Sequence, residues 1–131
     1  MKKEIIYQLF QKFEEASHYI EQTECWSARE LQVILGYAKW ANFAKVIDKA
    51  KDACEGAGQK IEDHFADVGK MVELGSRAQR AVDDFALTRY ACYLIAQNGD
   101  PTRKQEIAFA QTYFALQTRK QELIIITPQA N

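Results

Sequence analysis

Apolar residues recur every three or four positions along most of this chain, and that period sets its list of elements. In residues 3–16, Ile5, Ile6, Leu9, Phe10 and Phe13 form one stripe, with Lys12, Glu14 and Glu15 opposite. This is the pattern of an amphipathic docking helix. His18-Tyr19-Ile20 and Glu24-Cys25-Trp26 then read as two short strands around a Gln22-Thr23 turn. Residues 26–54 are the centre of the pattern. Ser27 with Glu30 has capping-box spacing, and Ala28, Leu31, Ile34 and Leu35 share one face up to Gly36. A second helix follows, with Phe43, Val46, Ile47, Ala50 and Cys54 on one stripe and Asn42, Lys45, Lys49 and Asp52 on the other. Two helices across a glycine turn have the layout of a helix-turn-helix, and also of any helical hairpin, the reading that geometry alone favours.

Gly56-Ala57-Gly58 ends that pair, and residues 59–66, with Ile61 and Phe65 at i,i+4, predict a short turn of helix. The period then changes. Val68, Lys70, Val72 and Leu74 alternate with Gly69, Met71 and Glu73; beyond Gly75-Ser76-Arg77-Ala78, Arg80, Val82 and Asp84 alternate with Ala81, Asp83 and Phe85. That is a β-hairpin with its tip at residues 75–78, and helix is the competing reading for residues 78–86. Arg77 at the tip and Arg80 beyond it make the hairpin a candidate wing for reaching a phosphate backbone or a minor groove; the alternative is a solvated turn with incidental charge.

Thr88 caps a helix over residues 89–97 whose apolar face is Leu87, Ala91, Leu94 and Ile95, stopped by Asn98-Gly99 and turned by Asp100-Pro101. Thr102 with Gln105 repeats the capping-box spacing and predicts a last helix over residues 103–123. Its face holds Ile107, Ala110, Phe114 and Gln117, widened by Ala108, Ala115 and Leu116. Tyr113 and Phe114 make it large enough to hold the amino-terminal helix or a partner. Residues 1–123 read as one domain. The tail 124–131, with Ile124-Ile125-Ile126, reads as the start of a missing C-terminal region or as a segment that pairs with another chain. The fold class is α+β, mostly α: a helix-turn-helix-like helical pair, a short wing-like β-hairpin and a long C-terminal helix.

Composition narrows the chemistry. The chain has 131 residues, 47% hydrophobic and 27% charged, with a formal net charge of −1. Any nucleic-acid surface must therefore be a local basic patch balanced by acid elsewhere. Three cysteines without a CxxC and two histidines argue against a disulfide framework or a structural zinc site and for reduced thiols in a cytoplasm. The N-terminal stripe is not a signal peptide, and no apolar run approaches a membrane span of ~20 residues. GxGxxG, GxxxxGK[ST], HExxH and GxSxG are absent. Asp83 and Asp84, as strand neighbours, point to opposite faces and cannot act as a dyad. His64 beside Glu62 and Asp63 has no nucleophile or metal partner at readable spacing, and reads as a structural histidine. We expect no enzyme activity, no cofactor and no metal.

Residues 26–123 resemble the DNA-damage-inducible protein D family, whose amino-terminal region is a BRO-N type domain. The resemblance rests on Trp26-Ser27-Ala28-Arg29, Leu35-Gly36-Tyr37, Ala53-Cys54, Asp63-His64-Phe65, the Leu87–Leu94 block RYACYL with its Leu-Thr lead, Gln97-Asn98-Gly99-Asp100-Pro101, and Gln111-Thr112-Tyr113-Phe114-Ala115 with Gln117-Thr118-Arg119 and Gln121-Glu122-Leu123. It implies a bacterial or phage protein of the damage (SOS) response. It also implies the DNA-binding role ascribed to BRO-N domains in phage antirepressors and insect-virus repeats, and a longer parent with a helical C-terminal region. No catalytic site is carried over.

The expected function is a DNA-binding module. Lys39, Trp40, Asn42, Lys45 and Lys49 line the exposed side of the second helix, Arg29 reaches phosphate from the first, and Arg77 and Arg80 do so from the hairpin. Asn42 is the candidate for a base edge, and Trp40 and Tyr37 are either core or a stacking platform. The alternative is a protein-interaction module acting on a recombination or repressor protein without touching DNA. The expected partners are DNA, single- or double-stranded, and such a protein, with a homodimer through the C-terminal helix left open.

Overall fold

The computed structural model describes residues 2–75 and 77–126. Among these residues are six helices, a four-stranded antiparallel sheet and a two-stranded one, in the order α1 (Lys2–Glu15), β1 (His18–Ile20), β2 (Thr23–Ser27), α2 (Ala28–Ile34), α3 (Trp40–Gly56), α4 (Ile61–His64), β3 (Phe65–Asp67), β4 (Lys70–Glu73), β5 (Gln79–Val82), β6 (Phe85–Leu87), α5 (Arg89–Asn98) and α6 (Gln105–Ile126). This is the mostly-α, α+β class expected from the sequence.

Trp26 sits at the middle of the core with no exposed surface. Its ring stacks on Phe13 at 4.4 Å, and its indole N–H donates to the Phe13 carbonyl at 2.6 Å. That carbonyl lies near the end of α1 and also accepts from the Ala16 amide at 3.2 Å. Phe10 and Phe13 meet Tyr113, and Phe13 meets Phe114, so α6 holds the amino-terminal helix as its aromatic pair predicts. The stripe of α1 is shorter than read. Ile5 is exposed, while Ile6 is half-buried against the core that Leu9 and Phe13 enter. Leu116, read as part of the buried face of α6, is also exposed.

β1 and β2 pair through a turn at Glu21 and Gln22, both with positive φ (48° and 72°), the conformation of a two-residue hairpin loop. The four-stranded sheet has the order β1-β2-β6-β3. Strands β3 and β6 were not expected: residues 59–66 read as helix, yet the helix ends at His64 and Phe65 turns into a strand. Phe65 opposes Leu87, Asp67 opposes Phe85, Val68 N–H donates to Asp84 C=O, and Lys70 then opposes Val82. The register never slips. The wing hairpin and the sheet strands are therefore one ribbon, rooted by buried Phe65 and Leu87 and interrupted near Gly69, where φ is +51°.

The caps at Ser27 and Thr88 form as their spacing predicts: Ser27 accepts from the Glu30 amide and Thr88 from the Ala91 amide. The capping box at Thr102 does not form. The Thr102 hydroxyl donates to the Asp100 carboxylate at 2.6 Å, its amide bonds the same oxygen at 2.9 Å, and α6 starts at Gln105 instead of residue 103. The nearer Asx turn outcompetes the cap for the same hydroxyl. At its far end α6 runs through the isoleucines to Ile126, past the boundary read at residue 123. The remainder of the tail, residues 127–131, lies outside the described residues.

Cys25, Cys54 and Cys92 are all buried, and burial is the main cause that pushes each thiol up, Cys92 furthest. The thiolate is the reactive form. In mildly alkaline buffer the folded protein should therefore react slowly with a thiol reagent, while the urea-unfolded chain should release three equivalents of chromophore per chain. Rapid labelling of the folded state would contradict this packing.

Candidate nucleic-acid interface

The exposed face of α3 becomes one wall of a groove. Lys39, Asn42, Lys45, Val46 and Lys49 recur at helical spacing along it. The opposite wall comes from Asn98 at the end of α5 and from Asp100, Arg103 and Lys104 in the connection to α6, with Tyr37 and Ala38 at one end. The groove encloses about 600 Å³. Five cations line it against one carboxylate, so a chain of net charge −1 does concentrate positive charge in one place.

Two glycines bring the walls together. Gly36 has φ +78°, and a Cβ there would lie 2.6 Å from the Glu106 carboxylate. A Cβ on Gly99 would lie 2.8 Å from Ile107, which is buried at the start of α6. Lys104 spans the gap: its ammonium donates to the Gly36 carbonyl at 2.9 Å and sits 4.7 Å from the Tyr37 ring. The hydrogen bond from the Thr102 hydroxyl draws the Asp100 carboxyl below the usual range, so Asp100 stays an anion inside the groove. Burial, and then the Asp100 charge, push the Tyr37 phenol up, so it stays neutral.

Of the residues singled out from the sequence, Lys39, Asn42, Lys45 and Lys49 come together here. Arg29 and Trp40 meet beside them. The Arg29 guanidinium lies 3.8 Å over the half-buried Trp40 ring, and its Nε donates to the Asp83 carbonyl at 2.7 Å. Asp84, buried, anchors the same corner by accepting from the Ser27 hydroxyl and from the Arg29 and Phe85 amides. The carboxylate thus lies at the amino end of α2, where the helix dipole favours it. The bonds to Asp83 and Asp84 tie the ribbon to α2, and the Arg29–Trp40 stack ties α2 to the start of α3. Arg77 and Arg80 lie farther out, exposed on the ribbon, with Arg77 in the left-handed region at φ 65°. α3 packs chiefly against α5.

The groove also holds residues that sequence reading did not assign to the interface. Arg103 and Lys104 were noted only as charge near a helix end, and Asn98 as a stop signal. No sequence period links them to α3, some 50 positions away.

A larger hollow, about 1010 Å³, lies between α1, α5 and α6. Tyr7, Phe10, Tyr90, Tyr93, Tyr113 and Phe114 line it. Among the described residues the charged ones lining it, Glu14 and Arg89, pair with each other at 2.8 Å. Arg89 also bonds Glu24 and lies 4.9 Å from the Trp26 ring; the hydrogen bonds it donates to Glu14 and Glu24 push its pKa up further despite burial. His64 is engaged structurally, with Nδ1 2.7 Å from the Thr88 hydroxyl and its ring against Tyr90. Among the described residues no group of three or more His, Cys, Asp or Glu is placed to hold a metal. None of the described helices is long and apolar enough to cross a membrane.

Residues 15–115 match the family described as BRO family, N-terminal domain. The chain is also 55% identical over 100 residues to DNA damage-inducible protein D of Escherichia coli (strain K12), a match covering 76% of this chain and 36% of that protein. The chain thus spans about a third of the relative's length. No solved structure matches it.

Proposed function

Because the chain belongs to the BRO family through its N-terminal domain, we propose that it is a DNA-binding module of a damage-response or antirepressor-type regulator. The observation that carries this reading is the basic groove. Its cations come from two separate elements, are spaced along a helix face, and flank Asn42 and Asn98, whose amides can pair with base edges. Arg77 and Arg80 extend the positive surface along the ribbon. The role is binding, without catalysis, in a soluble cytoplasmic regulator.

The test is fluorescence anisotropy on labelled single- and double-stranded DNA over a range of salt concentrations. The wild type should bind with an affinity that falls steeply with salt. Arg77→Ala with Arg80→Ala should flatten the log–log slope by about 2 for two lost phosphate contacts. An unchanged slope would remove the ribbon from the interface.

A second reading is favoured by one observation: the aromatic hollow, neutral and lined by four tyrosines, is the composition of a protein-docking surface. A wild-type protein that retards neither form of DNA at low salt would move the function there, to regulation of a recombination or repressor protein.

A further inference from the structure

We infer that the β4–β5 ribbon is a wedge: Leu74 enters a base-pair step of duplex DNA from the minor groove and kinks it, so duplexes with a weakened step are the preferred ligand. This inference rests on the DNA-binding reading above. Leu74 is 58% exposed on the last rung before the tip. Its amide donates to the Ala78 carbonyl at 2.9 Å, and the Ala78 amide donates to the Gly75 carbonyl at 2.9 Å, so the rung is closed. Val72 opposes Arg80, which places Val72, Leu74, Ala78 and Arg80 on one face of the ribbon. Met71, Glu73, Gln79 and Ala81 take the other face.

The surroundings of Leu74 define its ligand. Arg80 stands diagonally across the same face, a separation within reach of long side chains. Arg77 occupies the tip, and the acid Glu73 is on the far face. Neither arginine is ion-paired among the described residues. Val72 is half-buried behind Leu74 on this face and Met71 is exposed on the other, so Leu74 is the outermost large apolar side chain of the ribbon, with Arg80 beside it and Arg77 beyond it in the chain. The matching ligand is apolar where Leu74 enters and anionic next to it. Stacked bases between two rows of phosphates have that profile. Apolar side chains inserted at a base step unstack it and bend the duplex away from the minor groove. Proteins that read DNA with β-strands use them in the minor as well as the major groove.

Unstacking costs least where pairing is already weak. The wedge therefore favours a mismatched duplex over an intact one.

The experiment uses the full chain with short duplexes labelled at both ends, one intact and one with a central mismatch. Anisotropy reports binding, and energy transfer between the ends reports bending. The wild type should draw the ends together by a kink of roughly 20–90°. It should bind the mismatched duplex about tenfold more tightly. Leu74→Ala should lose both the kink and the preference while still binding intact duplex through its arginines. Met71→Ala, on the opposite face, should retain both, and thermal melts should show both variants folded. Equal binding of the two duplexes without bending, or a kink that survives Leu74→Ala, would overturn the wedge and leave the DNA-binding reading standing. A wild type that binds neither duplex would overturn both.

Discussion

Replacing Lys45, Lys49 and Arg103 together by alanine should lower duplex affinity by about 10²–10³-fold near ~0.1 M salt and flatten the salt dependence by roughly 3 log units per decade. The three side chains line both walls of the groove, two from α3 and one from the α5–α6 connection. Each phosphate they neutralise releases condensed counterions, and that release is worth nearly tenfold in affinity at this salt concentration. None of the three lies in the core, so the fold should survive. Lys12→Ala, on exposed α1 and outside the groove lining, is the control and should leave the slope alone. Anisotropy titrations at four or more salt concentrations measure the effect. A triple variant with an unchanged slope would mean that the groove does not meet the phosphates.

The largest effect on stability should come from Trp26→Ala. Trp26 is fully buried, stacked on Phe13 and bonded to its carbonyl. Removing a buried aromatic of this size costs about 3–5 kcal/mol, through lost transfer energy and the cavity left behind. For a domain of this length that is a drop in Tm of roughly 10–18 °C. It takes up much of the whole stability of a typical domain, about 5–15 kcal/mol. Trp26→Phe should cost far less. The ring still stacks, and the Phe13 carbonyl keeps the Ala16 amide as a partner. Thermal melts of the three proteins by circular dichroism decide it; equal losses for Ala and Phe would show that the indole N–H, not the packing, holds α1 in place.

The contrast between these residues shows what the sequence could reveal. Ser27 and Thr88 cap their helices because the amides they accept from are three residues away, and such local spacing survives folding. Lys39, Asn42, Lys45 and Lys49 could be placed on one wall because helical period alone puts them there. Arg103 and Lys104 could not be placed opposite, because that neighbourhood exists only once Gly36 and Gly99 let the connection settle against α2 and α6. Phe65–Asp67 and Phe85–Leu87 were missed for another reason. Phe65 shares helical spacing with Ile61, Leu87 shares it with Ala91, and the pairing of the two strands is non-local. Thr102 shows the reverse failure. Its spacing to Gln105 was correct for a cap, but Asp100 lay closer.

The unbroken register of the ribbon bears on how such a domain can vary. Its root is fixed by Phe65, Leu87 and the Asp84 anchor, while the outer rungs hold chiefly to each other. Side chains alternate with a period of two, so matched additions or removals of two residues on each strand keep every face as it was. A single unmatched residue would turn the outer ribbon over. The reach of the arm is therefore a quantity that insertion and deletion can reset in discrete steps, independently of the groove and of the core that carries both.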